Sequence, residues 1–133
     1  MGKMYEEVIN KNKCEWLVPQ KIENGDINCY YTYGLKFLNT DVKWEVFRKK
    51  YIENSGDGIF AAWALLYQED SIPDIRKRLS KMGLNKYFNT EKGICPNAEI
   101  IQKQIMQLTT NQKDEDEMRQ QANALNKTIK YFS

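Results

Sequence analysis

The side chains able to do chemistry are few, and their spacing is uninformative. Histidine is absent from the 133 residues, so no Ser–His or Cys–His nucleophile pair and no imidazole base can be assembled. Three cysteines, Cys14, Cys29 and Cys95, are widely spaced with no C-x-x-C pair, which argues against structural zinc and for reduced thiols. Cys29 and Cys95 read as small buried hydrophobes rather than reactive thiols. No lysine lies in an apolar run that would lower its pKa for Schiff-base chemistry; Lys36 comes nearest, and strand alternation turns it to solvent. Neither G-x-G-x-x-G nor G-x-x-x-x-G-K-[ST] occurs, and Gly56-Asp57-Gly58 is too short a pattern to signal a phosphate loop. The acidic run 114–117 reads as a solvated helix start rather than a metal site. Tyr30, Tyr31 and Tyr33 could stack on bases, but no basic cluster accompanies them, so they read as core or pocket-lining residues.

The elements that must carry these residues alternate between strand and helix. Residues 3–12 form the last turns of a helix, with Met4, Val8 and Ile9 on one side. A linking segment over 15–26 contains Pro19 and ends in Asn24-Gly25-Asp26. Residues 28–38 alternate: Cys29, Tyr31, Tyr33, Leu35 and Phe37 fall on one face, and Asn28, Tyr30, Thr32, Gly34 and Lys36 on the other, a strand. Thr40 or Asp41 offers an N-cap to a helix that begins at 42–47 and ends at Asn54-Ser55-Gly56. The run 58–67 reads as a buried strand at its start, while Ala61-Ala62 and Ala64-Leu65-Leu66 are equally compatible with a helix. Ser71, Pro73 and Asp74 start a further helix, with Ile75, Leu79 and Met82 inward and Gly83 as its stop. A polar loop over 85–93 precedes a helix opened by Cys95-Pro96, with Ala98, Ile101 and at its limit Ile105 inward, and a short strand over 105–109. The last helix carries Met118, Ala122, Leu125, Ile129 and Phe132 at spacings of three and four, acidic at its start and basic at its end.

Composition places the chain among globular domains: 41% apolar and 29% charged, with a net charge of +2. That balance offers no clustered basic face, so neither nucleic acid nor an acidic membrane is an expected partner. The N-terminus lacks a signal-peptide h-region and no run is long enough to span a bilayer, so a cytoplasmic protein is expected. Helices covering a short sheet in an α/β layer, as one domain over 1–133, are the expected architecture.

Three ordered segments carry a family resemblance. The first is Leu17-Val18-Pro19-Gln20 followed by the aromatic strand at 28–37. The second is Trp44-Glu45-Val46-Phe47-Arg48-Lys49-Lys50 leading to Gly58-Ile59-Phe60-Ala61-Ala62-Trp63. The third is Cys95-Pro96-Asn97-Ala98-Glu99, the strand at 105–109 and the amphipathic terminal helix. Together they resemble the C-terminal small domain of DegT/StrS-type sugar aminotransferases, fold-type I enzymes dependent on pyridoxal phosphate. The resemblance implies an α+β fold with a mainly antiparallel sheet of about three strands under four or five helices, residues 1–14 being the tail of an interdomain helix. It also implies that the Schiff-base lysine and the cofactor lie in a preceding large domain, that the substrate is a nucleotide-linked keto sugar, and that the whole enzyme is a homodimer. This chain would close the cleft, catalysing nothing alone, with Asn28, Tyr31, Tyr33 and Trp63 as candidate substrate contacts. Histidine is common in the family's strand, where this sequence has Asn28, Tyr30 and Tyr31. An apolar docking patch, formed partly by the 3–12 helix, would face the large domain. The alternative reading is a stand-alone module binding a small metabolite or a protein.

Overall fold

The computed structural model describes residues 2–61, 64–84, 86 and 93–133. The backbone divides into two compact units, one formed by residues 1–61 with 104–133 and the other by 62–103.

The first unit is an antiparallel sheet with helices packed on it. Its elements are α1 (Gly2–Lys11), β1 (Leu17–Pro19), β2 (Tyr33–Phe37), α2 (Trp44–Glu53), β3 (Ile59–Ala61), β4 (Ile105–Leu108) and α5 (Glu115–Phe132). The strand order is β1-β2-β4-β3, and every neighbouring pair is antiparallel. The sheet thus has four strands where three were expected, because Leu17-Val18-Pro19 pairs with Phe37, Lys36 and Leu35 rather than forming a link. The aromatic strand is shorter than its alternation suggested. Pairing starts at Tyr33, and Cys29 and Tyr31 are exposed instead of sharing the buried face of Tyr33, Leu35 and Phe37.

Period-two burial assigns the two sheet faces. Leu17, Tyr33, Leu35, Phe37, Ile59, Met106 and Leu108 enter the core, while Val18, Gly34, Lys36, Phe60, Ile105 and Gln107 lie on the other face. On the core side α5 buries Met118, Ala122, Leu125 and Ile129, the stripe read from its spacing. Its start is fixed by reciprocal caps: Asp114 Oδ1 accepts from Glu117 N at 3.0 Å, and Glu117 Oε2 from Lys113 N at 2.9 Å. Helix α2 contributes Phe47 and Tyr51, one turn apart. Its entry is held by Asn39, whose Oδ1 accepts from Asp41 N and Val42 N, so neither Thr40 nor Asp41 supplies the expected cap. Trp16, Phe37 and Phe47 close the far end of the core with centroid separations of 5.4–5.6 Å.

Helix α1 buries Tyr5 and Ile9, packs Met4 and Val8 against the same core, and lies along α5. Asn12 ties its end down, donating to Val8 O and to Asn126 Oδ1 at 2.8 Å each. The exposed positions of α1 are Lys3, Glu7, Asn10 and Lys11. The apolar side expected to form a docking patch is therefore consumed inside the unit.

The second unit holds a 3-10 turn (Leu66–Gln68), α3 (Ile72–Lys81) and α4 (Pro96–Gln102). Gly83 follows α3 at φ +72°, the left-handed stop expected there. The expected inward stripe is not buried: Ile75 is 41% and Met82 69% exposed, Leu79 is half-buried, and Ile72 alone of α3 is buried. Ala98 and Cys95 are likewise exposed, and Ile101 is half-buried. The 3-10 turn is joined to α4 by Tyr67, whose hydroxyl donates to Glu99 Oε1. Most of the loop at 85–93 lies outside the described residues. No helix among the described residues is long and apolar enough to cross a membrane.

Candidate functional site

Two of the four residues singled out from the sequence meet at one place. Asn28 and Tyr33 line a cavity of about 10 Å³ with Glu6, Gln20, Tyr30 and Gly34, room for a single water. The turn that builds it is local. Asn28 Oδ1 accepts from Tyr30 N at 2.9 Å, an Asx turn that carries Tyr30 into the left-handed region at φ +48°. Such a backbone costs of order 1 kcal/mol or more for a non-glycine residue, and packing offsets it. The Tyr30 ring stacks on Tyr33 at 5.8 Å and lies against the first turn of α1, where a Cβ on Gly2 would stand 2.5 Å from ring carbons. Thr110 Oγ1 then holds the carbonyls of Tyr30 and Tyr31 at 2.6 and 3.0 Å.

The turn separates its aromatic residues by role. Tyr33 is 2% exposed, on the core face of β2, and tilts against Tyr5 at 5.3 Å. Its hydroxyl has no partner among the described residues, and burial pushes its pKa well above the ordinary 10, with Glu6 and Tyr30 adding to the shift. Tyr31 is 92% exposed, displayed by a turn that is fixed on both sides. Trp63 lies outside the described residues. Sequence reasoning missed Glu6 and Gln20; the only signal was their nearness to an aromatic cluster, which spacing does not reveal.

A second polar assembly surrounds Asp57, in the Gly-Asp-Gly segment that sequence reasoning set aside. Asp57 Oδ2 accepts from Gln112 Nε2 at 2.9 Å and Thr109 Oγ1 at 3.2 Å, and Asp57 Oδ1 from Gln121 Nε2 at 2.9 Å. Gln121 Oε1 accepts from Tyr51 OH at 2.9 Å and from Asp57 N at 2.8 Å. Tyr5 OH donates to Thr109 O at 2.9 Å. These bonds join α1, α2, the α2–β3 loop, the β4–α5 loop and α5. Every donor to the carboxylate is neutral and uncharged, and the arrangement serves as a structural clasp. A signal did exist: Gln121 interrupts the buried stripe of α5 and requires partners there.

Three buried phenols link the core to alkaline pH. Burial raises Tyr5 to about 12 and lifts Tyr33 and Tyr51 further. Folded values above the unfolded value near 10 mean that the folded state holds these protons more tightly. Their contribution is complete below pH 10 and is lost as pH rises from 10 through 12 and beyond. We expect far-UV circular dichroism to collapse in that window together with a late rise in phenolate absorbance. All tyrosines ionising in one step near pH 10, with the dichroism unchanged, would contradict this.

No lysine among the described residues is buried. Among the described residues every lysine is exposed except Lys50, which is half-buried, paired with Glu53 at 3.1 Å and set over the Tyr131 ring at 4.3 Å. No three Cys, Asp or Glu side chains converge to hold a metal among the described residues. Compared with protein-family models, curated proteins and solved structures, the chain finds no match.

Proposed function

We propose that this chain is the cleft-closing small domain of a cytoplasmic, pyridoxal-phosphate-dependent aminotransferase acting on a nucleotide-linked keto sugar. In this reading the Schiff-base lysine and the cofactor contacts belong to a large domain that precedes it, and the whole enzyme is a homodimer. One observation carries the reading. The three ordered segments of the resemblance supply all four strands of one sheet: β1 and β2 from the first, β3 from the second, β4 from the third. Segments that were similar only as separate strings therefore form one connected layer. A chain lacking a cofactor lysine can still contribute binding and orientation to chemistry done elsewhere.

The turn at 28–33 then takes a defined role. Asn28 sets its backbone, Tyr30 and Tyr33 anchor it, and Tyr31 is the residue presented outward to a substrate. The coding sequence immediately before Met1 tests the proposal. A frame continuous with this one and encoding a large domain with a cofactor lysine is expected; its absence would overturn the reading. A second reading, a stand-alone binding module, draws on the open face of the sheet. Thermal stabilisation by a non-sugar metabolite, with none from nucleotide sugars, would favour it.

A further inference from the structure

Gly34 stands in the middle of β2 without a fold-level reason. Glycine in a strand interior destabilises it relative to alanine and is commonly found at a bulge, a bend or a close approach by a ligand. None of the structural reasons applies. Its φ is not in the left-handed region, and its ladder is regular, with Tyr33, Gly34, Leu35 and Lys36 facing Leu108, Gln107, Met106 and Ile105 in unbroken register. A Cβ at Gly34 would meet only Gln20 Oε1, at 3.8 Å, an ordinary contact. Backbone and packing both leave room for a side chain that the sequence omits.

The space above Gly34 belongs to a groove of about 430 Å³ on the open face of the sheet, lined by Val18, Pro19, Gln20, Lys36 and Ile105 among others. That volume lies within the range of small-molecule sites, roughly 300–1,000 Å³. The strand register defines its walls. Val18, Lys36 and Ile105 stand side by side across β1, β2 and β4, and Gly34 lies beside Gln107, which pairs in turn with the 55%-exposed Phe60. Omitting one side chain from this grid opens a slot about 5 Å wide across the strands and 7 Å long along them, which suits a flat apolar body. Among the described residues, the charged ones lining the groove are Lys21 and Lys36. Lys21 is paired with Glu23 at 2.6 Å, whereas Lys36 has no ion pair among the described residues.

The geometry points to a binding site for a small organic anion: a flat, apolar body seated over Gly34 between Gln20 and Gln107, against the neighbouring Val18–Lys36–Ile105 row, with its carboxylate or phosphate on the Lys36 ammonium. The groove lies on the face opposite the Tyr33 side chain, shares Pro19, Gln20 and Gly34 with the small cavity at Asn28, and does not depend on the aminotransferase reading. It is tested by titrating the whole chain with benzoate and with phenyl phosphate, against inorganic phosphate and benzyl alcohol, while following backbone amides by NMR. Saturable shifts at Val18, Gly34, Lys36 and Ile105 are expected with at least one of the first two probes, which also tells carboxylate from phosphate. Inorganic phosphate lacks the body and benzyl alcohol the charge, so each should bind at least about tenfold more weakly. Gly34→Val fills the slot with a strand-favouring residue and should abolish the shifts while the thermal midpoint stays level or rises. Lys36→Gln, at an exposed position, should weaken binding about tenfold. Saturable shifts confined to other residues, no saturable shifts at all, or binding indifferent to both substitutions would overturn the site.

Discussion

Gly56→Ala is expected to destabilise the sheet-bearing unit by about 3 kcal/mol, near the upper end of overpacking costs. A Cβ at this position would stand 2.3 Å from Tyr51 Cε1 and 2.4 Å from Cδ1. Tyr51 has nowhere to go: its ring is fully buried, and its hydroxyl is committed to Gln121 Oε1. Relief by moving the ring would break that bond; relief by moving the backbone would strain the Gly56 N–H to Tyr51 carbonyl bond that closes α2. Gly58 supplies the control, because a Cβ there meets nothing within 4 Å. Gly58→Ala should be neutral or stabilise by up to about 1 kcal/mol through the unfolded chain. Urea unfolding of the two variants side by side checks the claim. Equal midpoints would show that the approach of Gly56 to Tyr51 is not the constraint described.

Gln121→Leu is expected to cost about 3 kcal/mol although leucine fills the position with apolar volume. The substitution removes the acceptor for Tyr51 OH and Asp57 N and the donor to Asp57 Oδ1. A buried polar group that loses its partner costs about 1–3 kcal/mol, and Tyr51 is fully buried. A double-mutant cycle isolates this cause. Adding Tyr51→Phe to Gln121→Leu removes the orphaned hydroxyl, so the pair should be less destabilised than the two single losses summed, by about 1 kcal/mol. Simple additivity, measured by urea unfolding, would mean that the clasp around Asp57 contributes little.

These two positions mark what the sequence conceals. Helix α5 was legible because its apolar spacing is long and regular and its charges follow the helix dipole. Helix α2, β4 and the start of β3 were legible from turn residues and short apolar runs. β1 was not: three residues ending in proline carry no periodicity, and only pairing with β2 makes them a strand. The alternation over 28–32 misled for the opposite reason. It has the right period, yet the Asn28 side chain offers Tyr30 N a nearer partner than a neighbouring strand does. Helix α3 has the spacing of a buried helix, but its burial depends on what packs against it, and Ile75 and Met82 remain exposed. Of the candidate site, the aromatic cluster was visible, whereas Glu6, Gln20 and the groove over Gly34 arise from residues brought together by the sheet register.

The central claim is that this chain contributes a cleft wall to an enzyme whose lysine and cofactor lie elsewhere. Amino transfer from glutamate to a nucleotide-linked keto sugar tests it most directly, measured for this chain alone, for the large domain proposed to precede it, and for the two joined. The account predicts no turnover and no aldimine absorbance from this chain, and turnover only when the two are joined, with Tyr31→Ala raising KM at unchanged stability. Undiminished turnover by the large domain without residues 1–133, or an aldimine formed by this chain alone, would contradict it.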